Sequence, residues 1–135
     1  MNQVFLDTSA LIALAVKSDE FHGRAVAVRS QLTESGARIV TSQWVLVEFL
    51  NAMRFIGTRL VAANMVDALR HSGKTTIVPA GESDWQSSIG LYRERLDKEW
   101  SLVDCTSMLI CRQLSINQVF TSDHHFTQAG FEILL

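Results

Sequence analysis

The sequence predicts an α/β fold, a mainly parallel five-stranded sheet with helices on both faces. Short β-rich runs alternate with helical stretches, the pattern that parallel crossovers require. At 135 residues, nearly half of them apolar and about a fifth charged, the chain has the size and composition of one globular domain able to bury a core. A single proline, Pro79, seven glycines and no Ser/Pro-rich run leave no candidate linker or disordered tail.

The elements follow in order. Gln3 to Leu6 reads as the first strand, after which Thr8 or Ser9 can cap a helix over Ala10 to Val16. Phe21 to Thr33 is the next helix, with Gly36 as its C-terminal stop. The strand Arg38 to Thr41 is followed by Ser42, which can cap Gln43 to Phe55, and Arg59 to His71 forms a helix stopped by Gly73. Thr76 to Val78 is the third strand. Ser83-Asp84-Trp85-Gln86 and Ser101-Leu102-Val103-Asp104 both match the capping-box pattern ahead of amphipathic stretches. Gln118 to Thr121 and Phe131 to Leu134 complete the sheet, and no internal repeat interrupts it.

Several function classes are disfavoured. The apolar stretch Val4 to Val16 is broken by Asp7 and lacks a basic leader, so neither a signal peptide nor a membrane span is expected. Cys105 and Cys111 lie six apart in one predicted helix, on different faces; two reduced cysteines and a cytoplasmic location are expected. A formal charge of −2 argues against a broadly basic nucleic-acid coat, while leaving room for a basic rim around an acidic pocket.

Four acids carry the chemistry. Asp7 ends Val4-Phe5-Leu6, Asp123 ends Val119-Phe120-Thr121-Ser122, Asp104 follows Ser101-Leu102-Val103, and Glu48 is embedded in Trp44-Val45-Leu46-Val47-Glu48-Phe49-Leu50. A carboxylate against apolar surroundings is costly without a cationic partner, and no Lys or Arg lies within four residues of Asp7, Glu48 or Asp123. Singly, each Asp has a plain structural explanation, as a helix cap, a capping-box partner or a turn residue. Glu48 has none, since its helical neighbours are Trp44, Val45, Asn51 and Ala52. Ligands of such sheets bind outside the carboxyl ends of the strands. If the first strand and the Gln118 strand are central neighbours, Asp7, Asp104 and Asp123 converge on one rim that Glu48 can reach. Clustered carboxylates repel one another unless divalent cations lie between them. Hard oxygen donors favour Mg²⁺ or Mn²⁺, which suits phosphodiester hydrolysis.

The strings Phe5-Leu6-Asp7-Thr8-Ser9-Ala10-Leu11, Val47-Glu48-Phe49, Ser101-Leu102-Val103-Asp104-Cys105 and Thr121-Ser122-Asp123-His124-His125-Phe126, in this order, closely resemble a PIN domain, particularly the VapC-type toxin ribonucleases. The resemblance runs end to end and implies a single domain over residues 1–135 with a three-layer α/β/α fold. It also implies Mg²⁺- or Mn²⁺-dependent cleavage of RNA and a cognate antitoxin, with a homodimer left open. By the same resemblance Asp7, Glu48, Asp104 and Asp123 form the acidic metal site, with Asp7 and Asp104 as primary ligands and Glu48 placing or deprotonating the attacking water. Thr8, Ser9 and Thr121 orient it.

Competing readings are a catalytically silent PIN fold for RNA binding or assembly, and an aspartyl-nucleophile phosphatase. The phosphatase usually wants a second Asp two residues after the first, where this chain has Ser9. Among secondary features, His124-His125 is read as a loop pair and Asp97 as a solvated helix end. Trp44, Trp85 and Trp100 are candidates for base stacking or core, and Arg93, Arg95, Lys98, Arg54 and Arg59 for phosphate contact or plain surface. Phe49, Met53, Ile56 and Leu60 form a stripe read either as partner surface or as core.

Overall fold

The computed structural model describes residues 2–135. In chain order its elements are β1 (Gln3–Leu6), α1 (Thr8–Ala15), α2 (His22–Glu34), β2 (Arg38–Ser42), α3 (Gln43–Ala52), α4 (Arg59–His71), β3 (Thr75–Val78), α5 (Glu82–Glu94), α6 (Leu102–Gln113), β4 (Gln118–Phe120), α7 (His125–Gln128) and β5 (Glu132–Ile133). The strands form one sheet in the order β3-β2-β1-β4-β5, and every neighbouring pair is parallel. The chain steps outward from β1 to β2 and β3, then returns past β1 to β4 and β5. Right-handed crossovers therefore place α1 to α4 over one face and α5 to α7 over the other. The reversal falls between β1 and β4, where Leu6 pairs with Phe120, and a crevice opens outside those two carboxyl ends.

Cover on both faces explains the composition of β1, in which Val4, Phe5 and Leu6 are all buried. Phe5, Leu11, Phe49, Met108, Val119 and Phe126 are fully buried around it. Cys105 and Cys111 are both buried and unpaired. Among the described residues no helix is long and apolar enough to cross a membrane.

Local signals are confirmed where the partner is near in sequence. Ser101 Oγ accepts from Asp104 N at 3.0 Å while Asp104 Oδ2 accepts from Ser101 N at 3.1 Å, a complete capping box. Ser42 Oγ accepts from Val45 N, and Gly36 takes the left-handed φ of 69° that stops α2.

Elsewhere the structure differs. Helix α1 begins at Thr8 with Asp7 in the cap position, so neither Thr8 nor Ser9 caps it; the Asp7 carboxylate is engaged elsewhere. Gly81, not Ser83, precedes α5, and Ser83 lies inside the first turn with no capping bond. Glu82 and Asp84 face the helix dipole there instead. Gly73 has no left-handed φ, and α4 ends at extended Ser72. Helix α3 stops at Ala52, and Thr58 Oγ1 closes the turn into α4 by donating to the Met53 carbonyl at 2.7 Å, with the Phe55 carbonyl a longer contact at 3.2 Å. That early stop divides the apolar stripe. Phe49 and Met53 are core, whereas Ile56 is 98% exposed and Leu60 72%.

Candidate active site

Asp7 leaves the end of β1 in line with the sheet, its N–H donating to the Phe120 carbonyl at 3.1 Å. Its side chain is buried and accepts a 2.8 Å bond at Oδ2 from Thr121 Oγ1, one residue past β4. Thr121 has a single hydroxyl proton, and Asp7 takes it. The 2.8 Å contact between Ser9 Oγ and Thr121 Oγ1 must therefore be donated by Ser9. Thr121 Oγ1 also accepts from Asp123 N at 3.0 Å, and Ser9 Oγ accepts from Ser122 N at 3.0 Å. Two hydroxyls thus bind the first turn of α1 to the loop after β4 and fix where Asp7 and Asp123 stand. The buried Thr8 hydroxyl stands beside Glu48 and opposes the rise in that carboxyl's pKa.

Asp104 is held by its capping box at the start of α6. Across the rim, His125 Nδ1 lies 3.3 Å from both Asp104 Oδ2 and Asp123 Oδ1. His125 N also donates to Asp123 Oδ1 at 2.9 Å, closing a tight turn. Ligand atoms of Asp104, Asp123 and His125 all lie within 4.8 Å of one another. Asp7 and Glu48 stand outside that tightest group, yet the electrostatics joins them to it. Burial pushes the Asp7 carboxyl up to about 7 against the Thr121 bond, with Asp104 and Glu48 adding to the rise. Burial also raises Glu48, which feels Asp104 and Asp123 in turn. Asp104 is raised by burial and by Asp123, while the Ser101 N–H and His125 pull it back. All four sequence-predicted acids therefore gather around one rim.

Among the described residues, the ion pairs formed by Lys and Arg are those of Arg95 and Lys98 with Asp97. None reaches the rim. The donors are hard carboxylate oxygens in mutual repulsion, a set that fits Mg²⁺ or Mn²⁺. Soft donors are withheld: burial pushes the Cys111 thiol up to about 12, with Asp7 adding repulsion, and burial raises Cys105 beside Asp104.

His125, which the sequence places in a loop, joins the site, and its only sequence signal is the Asp-x-His turn. Asp97 stays a solvated partner of Arg95 and Lys98, its carboxyl held down to about 2 by the Arg95 bond. Trp100 is core and Trp85 is 41% exposed, with its ring 6.0 Å from that of Trp44.

A parallel α/β/α fold that gathers carboxylates outside its two central strands is of the class that binds a ligand at a topological switch point. The PIN domain family model matches residues 4–132, and the chain belongs to that family. The structure of VapC20 from Mycobacterium tuberculosis, described as a sarcin–ricin loop cleaving toxin, is similar with a TM-score of 0.82 at 26% identity over 95% of each chain. FitAcB from Neisseria gonorrhoeae gives 0.64 at 19% identity, over 96% of this chain and 95% of that one. FitAB bound to an IR36 DNA fragment gives 0.67 at 18% identity, over 96% and 92%. At those two identities the likeness concerns the fold. No curated protein sequence gives a significant match.

Proposed function

We propose that the protein is a divalent-metal-dependent endoribonuclease acting as the toxin of a toxin–antitoxin pair. The observation that carries this reading is the convergence of Asp7, Glu48, Asp104 and Asp123 on one rim, with no Lys or Arg among the described residues paired to them. The likeness to VapC20, described as a sarcin–ricin loop cleaving toxin, supports RNA as the substrate. The same likeness, to a toxin, supports a neutralising antitoxin as partner.

Asp7 and Asp104 would hold the ion, with Asp123 completing the site directly or through water. When bound, Mg²⁺ or Mn²⁺ supplies positive charge to the scissile phosphate and lowers the pKa of water. Glu48, half-buried and raised in pKa, takes the proton of the attacking water, as a base tuned toward neutrality does. Thr121 and Ser9 keep Asp7 and the Asp123 loop in register, which fixes the geometry of attack. His125 orients Asp104 and Asp123 through its Nδ1 and backbone N–H. No covalent intermediate is needed, and PIN membership favours this route over an aspartyl nucleophile at Asp7. All four acids being present favours activity over a silent fold.

The antitoxin is expected on the exposed apolar surface of the α3–α4 turn and the first turn of α4, where Phe55, Ile56, Leu60 and Val61 face solvent. Helix α4 also walls an apolar cavity of about 440 Å³ with Leu11, Leu32, Ile39, Met65 and Phe120, which could receive a partner side chain.

The test is cleavage of a structured RNA with an exposed loop. The purified protein should cut it in Mn²⁺ and not in EDTA, and Asp104→Asn should not cut it at all. Persistent cutting in EDTA or by the variant would refute the assignment.

A further inference from the structure

We propose that the cleft between the end of α5 and the start of α6, walled by Tyr92, Arg95, Lys98 and Trp100, is a subsite that stacks an unpaired base of the RNA beside the cut. The proposal rests on the ribonuclease reading and adds residues that the acidic rim does not contain. The cleft measures about 590 Å³, within the range of small-ligand sites.

Two hydrogen bonds fasten the cleft to the carboxylates. Ser101 lines it, and Ser101 N donates to Asp104 Oδ2. Trp100, its floor, donates Nε1–H to Gln128 Oε1 at 3.1 Å. Gln128 ends α7, the helix that opens with His125 between Asp104 and Asp123. A base held in the cleft would therefore keep a fixed relation to the acids.

The walls are built for stacking rather than for tracking a charged backbone. Tyr92 is 54% exposed and Leu96 88%, both on the open side. The Arg95 guanidinium lies 5.0 Å over the Trp100 ring and is gripped by Asp97 through Nε and Nη2, each at 3.0 Å. That grip leaves Nη1 free to donate to a base edge. Arg95 and Lys98 are offset by Asp97 and by Glu99, which also lines the cleft. A near-neutral cleft with an exposed aromatic ring suits a single base, since stacking tolerates any sequence and needs little net charge. The same cleft would bind a run of phosphates poorly.

The experiment measures the affinity of a fluorescein-labelled RNA hairpin with an exposed loop, by anisotropy in Ca²⁺, for the wild-type protein and for Tyr92→Ala, Tyr92→Phe and Lys98→Ala. Tyr92 is exposed, so matching thermal melts are expected for all. Loss of one stacking contact should weaken binding by Tyr92→Ala about tenfold, while Tyr92→Phe stays within about twofold. Lys98→Ala should fall between them. Wild-type affinity in Tyr92→Ala, or a loss in Tyr92→Phe as large as in Tyr92→Ala, would overturn the subsite. The ribonuclease reading is checked separately by whether the wild type cuts the same RNA in Mn²⁺. Cutting with undiminished Tyr92→Ala binding sinks the subsite alone, whereas no wild-type binding sinks both.

Discussion

Thr121 Oγ1 donates a 2.8 Å hydrogen bond to Asp7 Oδ2 across 114 positions of sequence. It is the largest influence opposing the burial that drives the Asp7 carboxyl upward. The same oxygen accepts from Ser9 and from the Asp123 amide, so one threonine joins two acids and ties the start of α1 to the loop after β4.

Thr121→Val should leave the Asp123 amide and the Ser9 hydroxyl without their acceptor and raise the Asp7 pKa further. A loss of roughly 1–3 kcal/mol in urea melts at pH 8 is expected, with Thr121→Ser recovering most of it. Equal stability of the valine variant would remove this linkage from the account.

Asp7→Asn and Asp104→Asn should each bring RNA cleavage below detection with the fold retained. Asparagine keeps an acceptor for the Thr121 hydroxyl and for the Ser101 N–H, so shape and capping survive. Asp104→Ala should in addition cost about 1 kcal/mol through loss of the cap. Circular dichroism melts beside gel assays of cleavage decide it: retained cutting by either asparagine variant removes that acid from the mechanism.

The raised Asp7 pKa sets a pH dependence. An acid at 3.8 when unfolded and about 7 when folded keeps its proton in the folded chain alone between those values. The folded state then binds more protons, so metal-free stability is highest at the acid end of the window and falls as pH rises through 7. The total change is roughly 2–4 kcal/mol. Glu48 and Asp104, also raised, act in the same direction. Asp7→Asn should flatten the curve and stabilise the metal-free protein at pH 8, and saturating Mn²⁺ should reverse the slope. A metal-free wild-type stability that rises from pH 5 to pH 8 would contradict the buried-carboxyl description.

Ile56→Ser should weaken antitoxin binding without unfolding the protein, because Ile56 is 98% exposed and contributes nothing to the core. Met53→Ser, at a buried position, should instead destabilise the fold by a few kcal/mol. Pull-down with the co-expressed antitoxin, alongside melts, separates the two, and undiminished capture of Ile56→Ser would move the docking surface elsewhere.

The parts of this structure that could be read from sequence are those whose cause is local or strictly periodic. Apolar triplets such as Val4-Phe5-Leu6 gave the buried strands, Ser101 and Asp104 gave their own capping box, and Glu48 showed itself by lacking any helical partner. What escaped depends on distant partners. Nothing near Thr121 in sequence says that its proton goes to Asp7, or that Ser9 must then donate to it. His125 looked like a turn residue because Asp104, the second carboxylate it meets, lies 21 positions away. The stripe Phe49, Met53, Ile56, Leu60 has helical spacing, yet α3 stops within it, at Ala52. Ser83 fits a capping pattern that any serine inside a first turn also fits.

The most direct measurement is a filter-binding titration of a loop-bearing RNA in EDTA, in Ca²⁺ and in Mn²⁺, over a series of salt concentrations. Four converging acids repel phosphate unless a divalent ion lies between them, so affinity should be weak in EDTA and strong in either ion. With few clustered cations, its dependence on salt should be shallow. Equally tight binding in EDTA would contradict a site in which metal joins the carboxylates to RNA.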